Sequence, residues 1–249
     1  MPHRCILIFY EEYVRASPVN EILLFTLQKN QRLEKQYVLY ALPLVVLISN
    51  RIPYIGKFLR IINTLIHESG HAFVAIITRG DVYEVELFGD RSGSATVKTK
   101  GKFVMFLVSL AGYIIGSAFA YLMFYLISFE RYDIVIYIVA IVALLNLTFL
   151  VRNTYGIFWL ITFFILLLLA RFYLNNFFQF VFTAWISAVM LFEALYSSVE
   201  LVLIAAKKPK SAGDAASLAR ITGIPALIWA VFFVVQSGFF IYLTVRLFF

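Results

Sequence analysis

The chain has 249 residues, 62% of them hydrophobic and 14% charged, with a mean hydropathy of +0.89. Soluble domains carry about 25% charged residues, so this composition excludes an ordinary soluble domain and indicates an integral membrane protein. The single cysteine, Cys5, excludes an intrachain disulfide and a cysteine zinc site, and the net charge of +7 must be placed against a membrane before it is read as nucleic-acid affinity.

In chain order, the N-terminus "MPHRCILIFYEEYVRASPVNE" holds one apolar run, Cys5 to Tyr10. It is too short for a signal-peptide core and ends in acids, so a native, uncleaved terminus and an N-terminal cytoplasmic segment over 1–36 are expected. Apolar stretches follow at about 37–50, 57–78, 103–128, 134–151, 157–173, 178–205 and 221–245. Most reach the roughly 17 to 25 residues that span a hydrocarbon core, but the first is short and contains Pro43. The expected fold is an all-α membrane protein, a polytopic helix bundle of about six to seven transmembrane spans, with one of them re-entrant if six cross. No linker divides 37–249, which reads as one membrane domain with the lipid bilayer as its surroundings.

If all seven stretches cross, the loops fall on two sides. One side collects Arg4, Arg15, Lys29, Arg32, Lys35, the five basic residues of 79–102, Arg152, Lys207, Lys208, Lys210 and Arg220. The other collects Arg51, Lys57, Arg60, Arg131, Arg171 and Arg246. Fifteen against six places the first set in the cytoplasm by the positive-inside rule. Topology in the cell (cytoplasmic) membrane then accounts for the charge, and no nucleic-acid partner is expected.

The stretch "TLIHESGHAFVAII", Thr64 to Ile77, sets His67, Glu68 and His71 in an apolar, proline-free helix. A strongly polar group at bilayer depth costs about 2.5–3.5 kcal/mol on insertion scales, so such residues usually pair, bind or react. Histidines at i and i+4 share one helical face and can grip one Zn²⁺, with Glu68 beside it as general base for hydrolysis. Zinc lowers the pKa of water to about 7, which would supply hydroxide at neutral pH. Alternatively, the triad is structural polar packing.

The loop Arg79 to Lys102 follows, where Tyr83, Val85 and Leu87 alternate with Glu84, Glu86 and Phe88. A period of two, then a turn over Gly89–Ser94 and a return over Ala95–Thr99, predicts a small cytoplasmic β-hairpin whose free edge could hold an extended peptide. Gly112 and Gly116 have the spacing of close helix packing, and the bend Val151 to Phe158 reads as a loop with a helix cap.

A catalytic zinc needs a third protein ligand. From Arg79, His71 lies roughly 12 Å and His67 roughly 18 Å inside the cytoplasmic end at the helical rise. Glu193 and Glu200 share a face of the 178–205 helix, and Glu200, roughly 10 Å deep measured from Lys207, is the first-choice ligand. Asp214 is the alternative if its segment re-enters; otherwise it caps a helix beginning at Ala215.

"HESGHA" inside a span, a hairpin after it and "LAGYIIGSAFA" in the next span resemble the site-2 protease class of intramembrane zinc metalloproteases. The likeness is closer to its bacterial and plant M50B-like branch. There a "VRNxxG" bend recurs (here Val151 to Gly156), with an acid in a late span ("YSSVEL", Glu200) and an ending like "GDAASLARITGIPALIW", Gly213 to Trp229. The resemblance covers the chain from about residue 57. It implies one catalytic Zn²⁺, His67 and His71 as ligands, Glu68 as general base, and cleavage of a membrane-protein or membrane-associated peptide substrate. The chain departs from better-studied members, whose third ligand comes from an aspartate-glycine motif in a later span; no span here contains one. The alternative function is a non-peptidase membrane protein, binding or transporting metal or acting as an inactive scaffold.

Overall fold

The structure, a computed structural model, describes residues 18–90 and 92–249. The apolar run Cys5–Tyr10 and the expected uncleaved terminus lie outside the described residues. Two compact units meet at the Leu42/Pro43 boundary. In chain order the elements are α1 (Pro18–Arg51), α2 (Ile55–Ile77), β1 (Asp81–Leu87), β2 (Gly93–Lys98), α3 (Lys102–Ser128) and α4 (Tyr132–Leu145). They continue with a π turn (Asn146–Leu150), α5 (Thr154–Tyr173), α6 (Asn176–Lys207), α7 (Gly213–Thr222) and α8 (Ala226–Phe248).

Among the described residues, five helical segments are long and apolar enough to cross a membrane alone: α3, α4 with its π turn, α5, α6 and α8. Arg32–Arg51 and α2 pass only as a pair, bent by 110° at the break between them, which brings the total to six at most. The chain is thus a mostly helical, multi-pass membrane protein, with five to six candidate spans among the described residues. The stretches 37–50 and 57–78 do not qualify as two spans because α2 carries Lys57, Arg60 and Glu68 besides its histidines.

The core of the second unit is built around α2, whose Ile61, Ile62, Leu65, Ile66, Ala72 and Ala75 are fully buried. It packs on α3, on α6 and on both strands. At its C-terminus Arg79 takes a left-handed backbone (φ 59°) and the Gly80 N–H returns to the Ala75 carbonyl, turning the chain into β1. A Cβ at Gly80 would lie 2.7 Å from the Lys98 carbonyl oxygen, so that position must be glycine for the two ends of the hairpin to meet.

The hairpin is antiparallel, pairing Val85 with Ala95 and Leu87 with Gly93, with a register irregularity between Val82 and Glu84. Val85 and Leu87 are fully buried, as the alternation predicts. On its other edge β1 bridges to Val151 in parallel, the Arg152 N–H donating to the Val85 carbonyl at 3.2 Å. Asn153 accepts from the Leu87 N–H (3.1 Å) and donates its amide to the Leu87 carbonyl (2.6 Å), acting as a third strand one residue long. Asn153 therefore ties down the hairpin; its side chain makes no cap bond to α5. Gly156 leaves room for this, since a Cβ there would meet Asn153 Oδ1 at 2.5 Å.

Past α6, a short 3₁₀ turn (Pro209–Ser211) reverses the chain. α7 then buries Ala215 and Leu218 in one cluster with Leu201, Ala205, Ala230 and Phe233 of α6 and α8. Gly223 (φ 77°) ends α7 and Pro225 precedes α8, so the stretch 213–229 is two helices separated by a break.

Candidate metal centre

His67 and His71 emerge one helical turn apart from α2 toward α3, their Nε2 atoms 3.1 Å from each other. His71 Nδ1 lies 2.7 Å from the Val108 carbonyl, which can only accept. The Nδ1 therefore bears the hydrogen and the Nε2 presents its lone pair toward His67, the tautomer a metal ligand requires. The His67 ring packs edge-on against Tyr113, with centroids 4.7 Å apart, and Tyr113 in turn stacks on Phe233 of α8. Both imidazoles are thus held from α3, one through its nitrogen and one through a ring contact.

The third member of the group is Asp214. Its Oδ2 lies 3.4 Å from His67 Nε2 and 3.2 Å from His71 Nε2. One ligand atom from each of the three residues falls within 4.8 Å of the others. Asp214 sits in the first turn of α7, whose N-cap is Ala212, so its carboxylate is free of capping duty and turns inward with the buried Ala215 and Leu218 face.

Glu200 is not brought to this group. It lines a second cavity with Arg60, Asn63 and Glu193. Depth along α6 does not tell which way a residue faces. Asp214 arrives instead from a helix that folds back beside the site.

Glu68, 8% exposed, lines the same cavity of about 350 Å³ as the two histidines and Asp214. Two glycines make this packing possible. A Cβ on Gly112 would lie 2.5 Å from the Nε2 atoms of both histidines, and one on Gly93 would lie 2.9 Å from Glu68 Cγ. Gly112 was legible in the sequence only as a packing residue, whereas Tyr113, Gly93 and Ser217, which also line the cavity, carry no signal there. On the opposite side of α2, Ser69 donates to the Asn146 side chain (3.1 Å) in the π turn, a local irregularity common at functional sites.

The donor chemistry fits a zinc ion: two imidazole nitrogens and one carboxylate, with at least one tautomer fixed by a backbone carbonyl. Among the described residues it is the one His/Cys/Asp/Glu group with this convergence. A family model described as Peptidase M50B-like matches residues 37–244. The chain belongs to the Peptidase M50B-like family. No curated protein and no solved structure matches it. In this M50B-like chain the match takes in His67, Glu68, His71, Glu200 and Asp214 alike, so the geometry, not the family, separates the two acids.

Proposed function

We propose that the protein is an intramembrane zinc metallopeptidase that hydrolyses peptide bonds of a membrane-associated protein at the cytoplasmic side of the cell membrane. The convergence of His67, His71 and Asp214 beside Glu68 carries this reading. His67, His71 and Asp214 would hold the ion, with Asp214 in the role first assigned to Glu200. When bound, zinc would supply a Lewis acid that lowers the pKa of water to about 7 and polarises a carbonyl. Glu68 takes the proton from the attacking water and delivers it to the leaving amine nitrogen. The Val108 carbonyl keeps the His71 ring oriented, and the Tyr113 ring limits rotation of His67.

Substrate would approach along β2, whose Gly93, Ala95 and Val97 line the site cavity. Among the described residues β1 alone of the two strands is bridged on its far side, so β2 offers an edge to an extended segment. A helical substrate must unwind first, because its carbonyls are committed to internal bonds. The five basic residues of 79–102 support a cytoplasmic location for the hairpin.

The deciding experiment pairs metal analysis of purified protein with cleavage of membrane proteins by wild type and Glu68→Gln. Zinc retained in both, with cleavage lost in the variant, is expected. Absence of zinc, or cleavage indifferent to Glu68, would overturn the reading in favour of a non-peptidase or scaffold role.

A further inference from the structure

A third cavity, of about 660 Å³, lies between the last turn of α6, the 3₁₀ turn, α7 and the first turn of α8. α7 stands between it and the metal centre. Asp214 and Ser217, three residues apart, line the site cavity, whereas Ala216, Ala219 and Arg220, on another face of the same helix, line this one. Its volume falls within the roughly 300–1,000 Å³ of small-ligand sites, and none of its lining residues belongs to the metal centre.

The lining is of two kinds. Lys210 and Arg220, both exposed, make it basic, and no acid is among the described residues that line it. Arg220 commits one of its five N–H donors, to Ser217 Oγ at 3.0 Å, and neither cation is paired with a carboxylate among the described residues. The other lining is apolar: Ala205 and Ala206 of α6, then Pro225, Ala226 and Leu227, the last 40% exposed.

The place of the cavity along the spans gives this pairing a meaning. α6 and α8 are each long and apolar enough to cross a membrane, and the cavity touches the end of one and the start of the other. It therefore lies where hydrocarbon gives way to headgroups. Trp229, one turn into α8, donates its Nε1–H to Thr222 Oγ1 at 3.2 Å, the amphipathic kind of ring that sits at this boundary. A free anion here would satisfy the cations and leave the apolar wall wet. A neutral lipid would do the reverse. An anionic phospholipid does both: its phosphate can take paired N–H bonds from the Arg220 guanidinium with Lys210 as a point charge, and its glycerol and upper acyl carbons cover the alanines and Leu227.

We propose that the cavity walled by Lys210, Arg220 and Leu227 binds one anionic phospholipid, phosphate against the two cations and acyl chain against the start of α8. The site is separate from the metal centre and stands whether or not the chain cleaves peptides.

Native mass spectrometry of the full chain, released from nanodiscs of phosphatidylglycerol and phosphatidylcholine in equal amounts, tests this. One basic residue near an anionic surface is worth about fivefold in binding, so the one-lipid species of wild type should carry phosphatidylglycerol at least about tenfold more often. Lys210→Gln with Arg220→Gln should bring the two lipids to parity. Lys207→Gln with Lys208→Gln, an equal loss of charge outside the lining, should keep the preference. Ala206→Trp, which fills the cavity from an exposed position, should lose the bound lipid at an unchanged melting temperature. No preference in wild type, equal loss in both double variants, or lipid retained by Ala206→Trp would overturn the site. Displacement of the lipid by millimolar inorganic phosphate, but not by chloride of equal ionic strength, would overturn it in favour of a free phosphate.

Discussion

Replacing Gly112 by alanine tests the metal centre more sharply than removing a ligand. The added methyl would lie 2.5 Å from His67 Nε2, His67 Cε1 and His71 Nε2, and ordinary contact begins at about 3.5 Å. Both rings must therefore retreat by about 1 Å, half of a zinc–nitrogen bond of about 2.0–2.1 Å. His71 cannot retreat without lengthening its 2.7 Å bond to the Val108 carbonyl, and Tyr113 stands against His67. Disturbance of groups that orient ligands typically weakens metal affinity about 10- to 100-fold, and that loss is expected here. Gly116→Ala is the internal control, because its methyl would meet only Asn63 Oδ1, at 3.4 Å. If Gly112 served helix packing alone, alanine would favour the helix by about 1 kcal/mol in propensity and leave metal affinity alone. The assay is zinc competition against a chelator of known affinity on purified wild type, Gly112→Ala and Gly116→Ala, with melting curves to confirm folding. Wild-type affinity in a folded Gly112→Ala would refute the geometry of the centre.

Asp214→Ala should release zinc under chelator concentrations that wild type and Glu200→Ala withstand; the reverse order, read by elemental analysis, would restore Glu200 as the ligand. Asn153→Ala removes two hydrogen bonds to Leu87, each worth about 0.5–1.5 kcal/mol, and should raise amide hydrogen exchange over 81–98 while leaving α8 unaffected. Glu193→Gln leaves the Arg60 charge in a largely buried site and should lower stability by about 3–5 kcal/mol, whereas Arg60→Met with Glu193→Met should recover most of it, as read by thermal melting.

The pattern of residues along the chain determined the membrane class, the hairpin and the three residues of the motif. Each of these is a short-range property: hydropathy over a window, alternation with period two, and the i, i+4 spacing that puts two imidazoles on one face. The span count was less legible, because α2 mixes lipid-compatible length with charged residues, and only its 110° bend from Arg32–Arg51 shows the two as a pair. The role of Asn153 was hidden for a related reason. An asparagine before a helix reads as a cap, yet its amide bonds to a strand 66 residues earlier.

The third acid was decided by tertiary structure alone. Helical rise gives the depth of Glu200 and Asp214 but not the azimuth of either, and the azimuth follows from which faces are buried. α7 folds back so that Ala215 and Leu218 join the cluster of α6 and α8, and this burial turns Asp214 toward the histidines. Glu200, on the long helix α6, is turned toward Asn63 and Thr64. Ligand type and spacing are local and so legible in the sequence; the packing of apolar faces brings Asp214, and not Glu200, beside the two histidines.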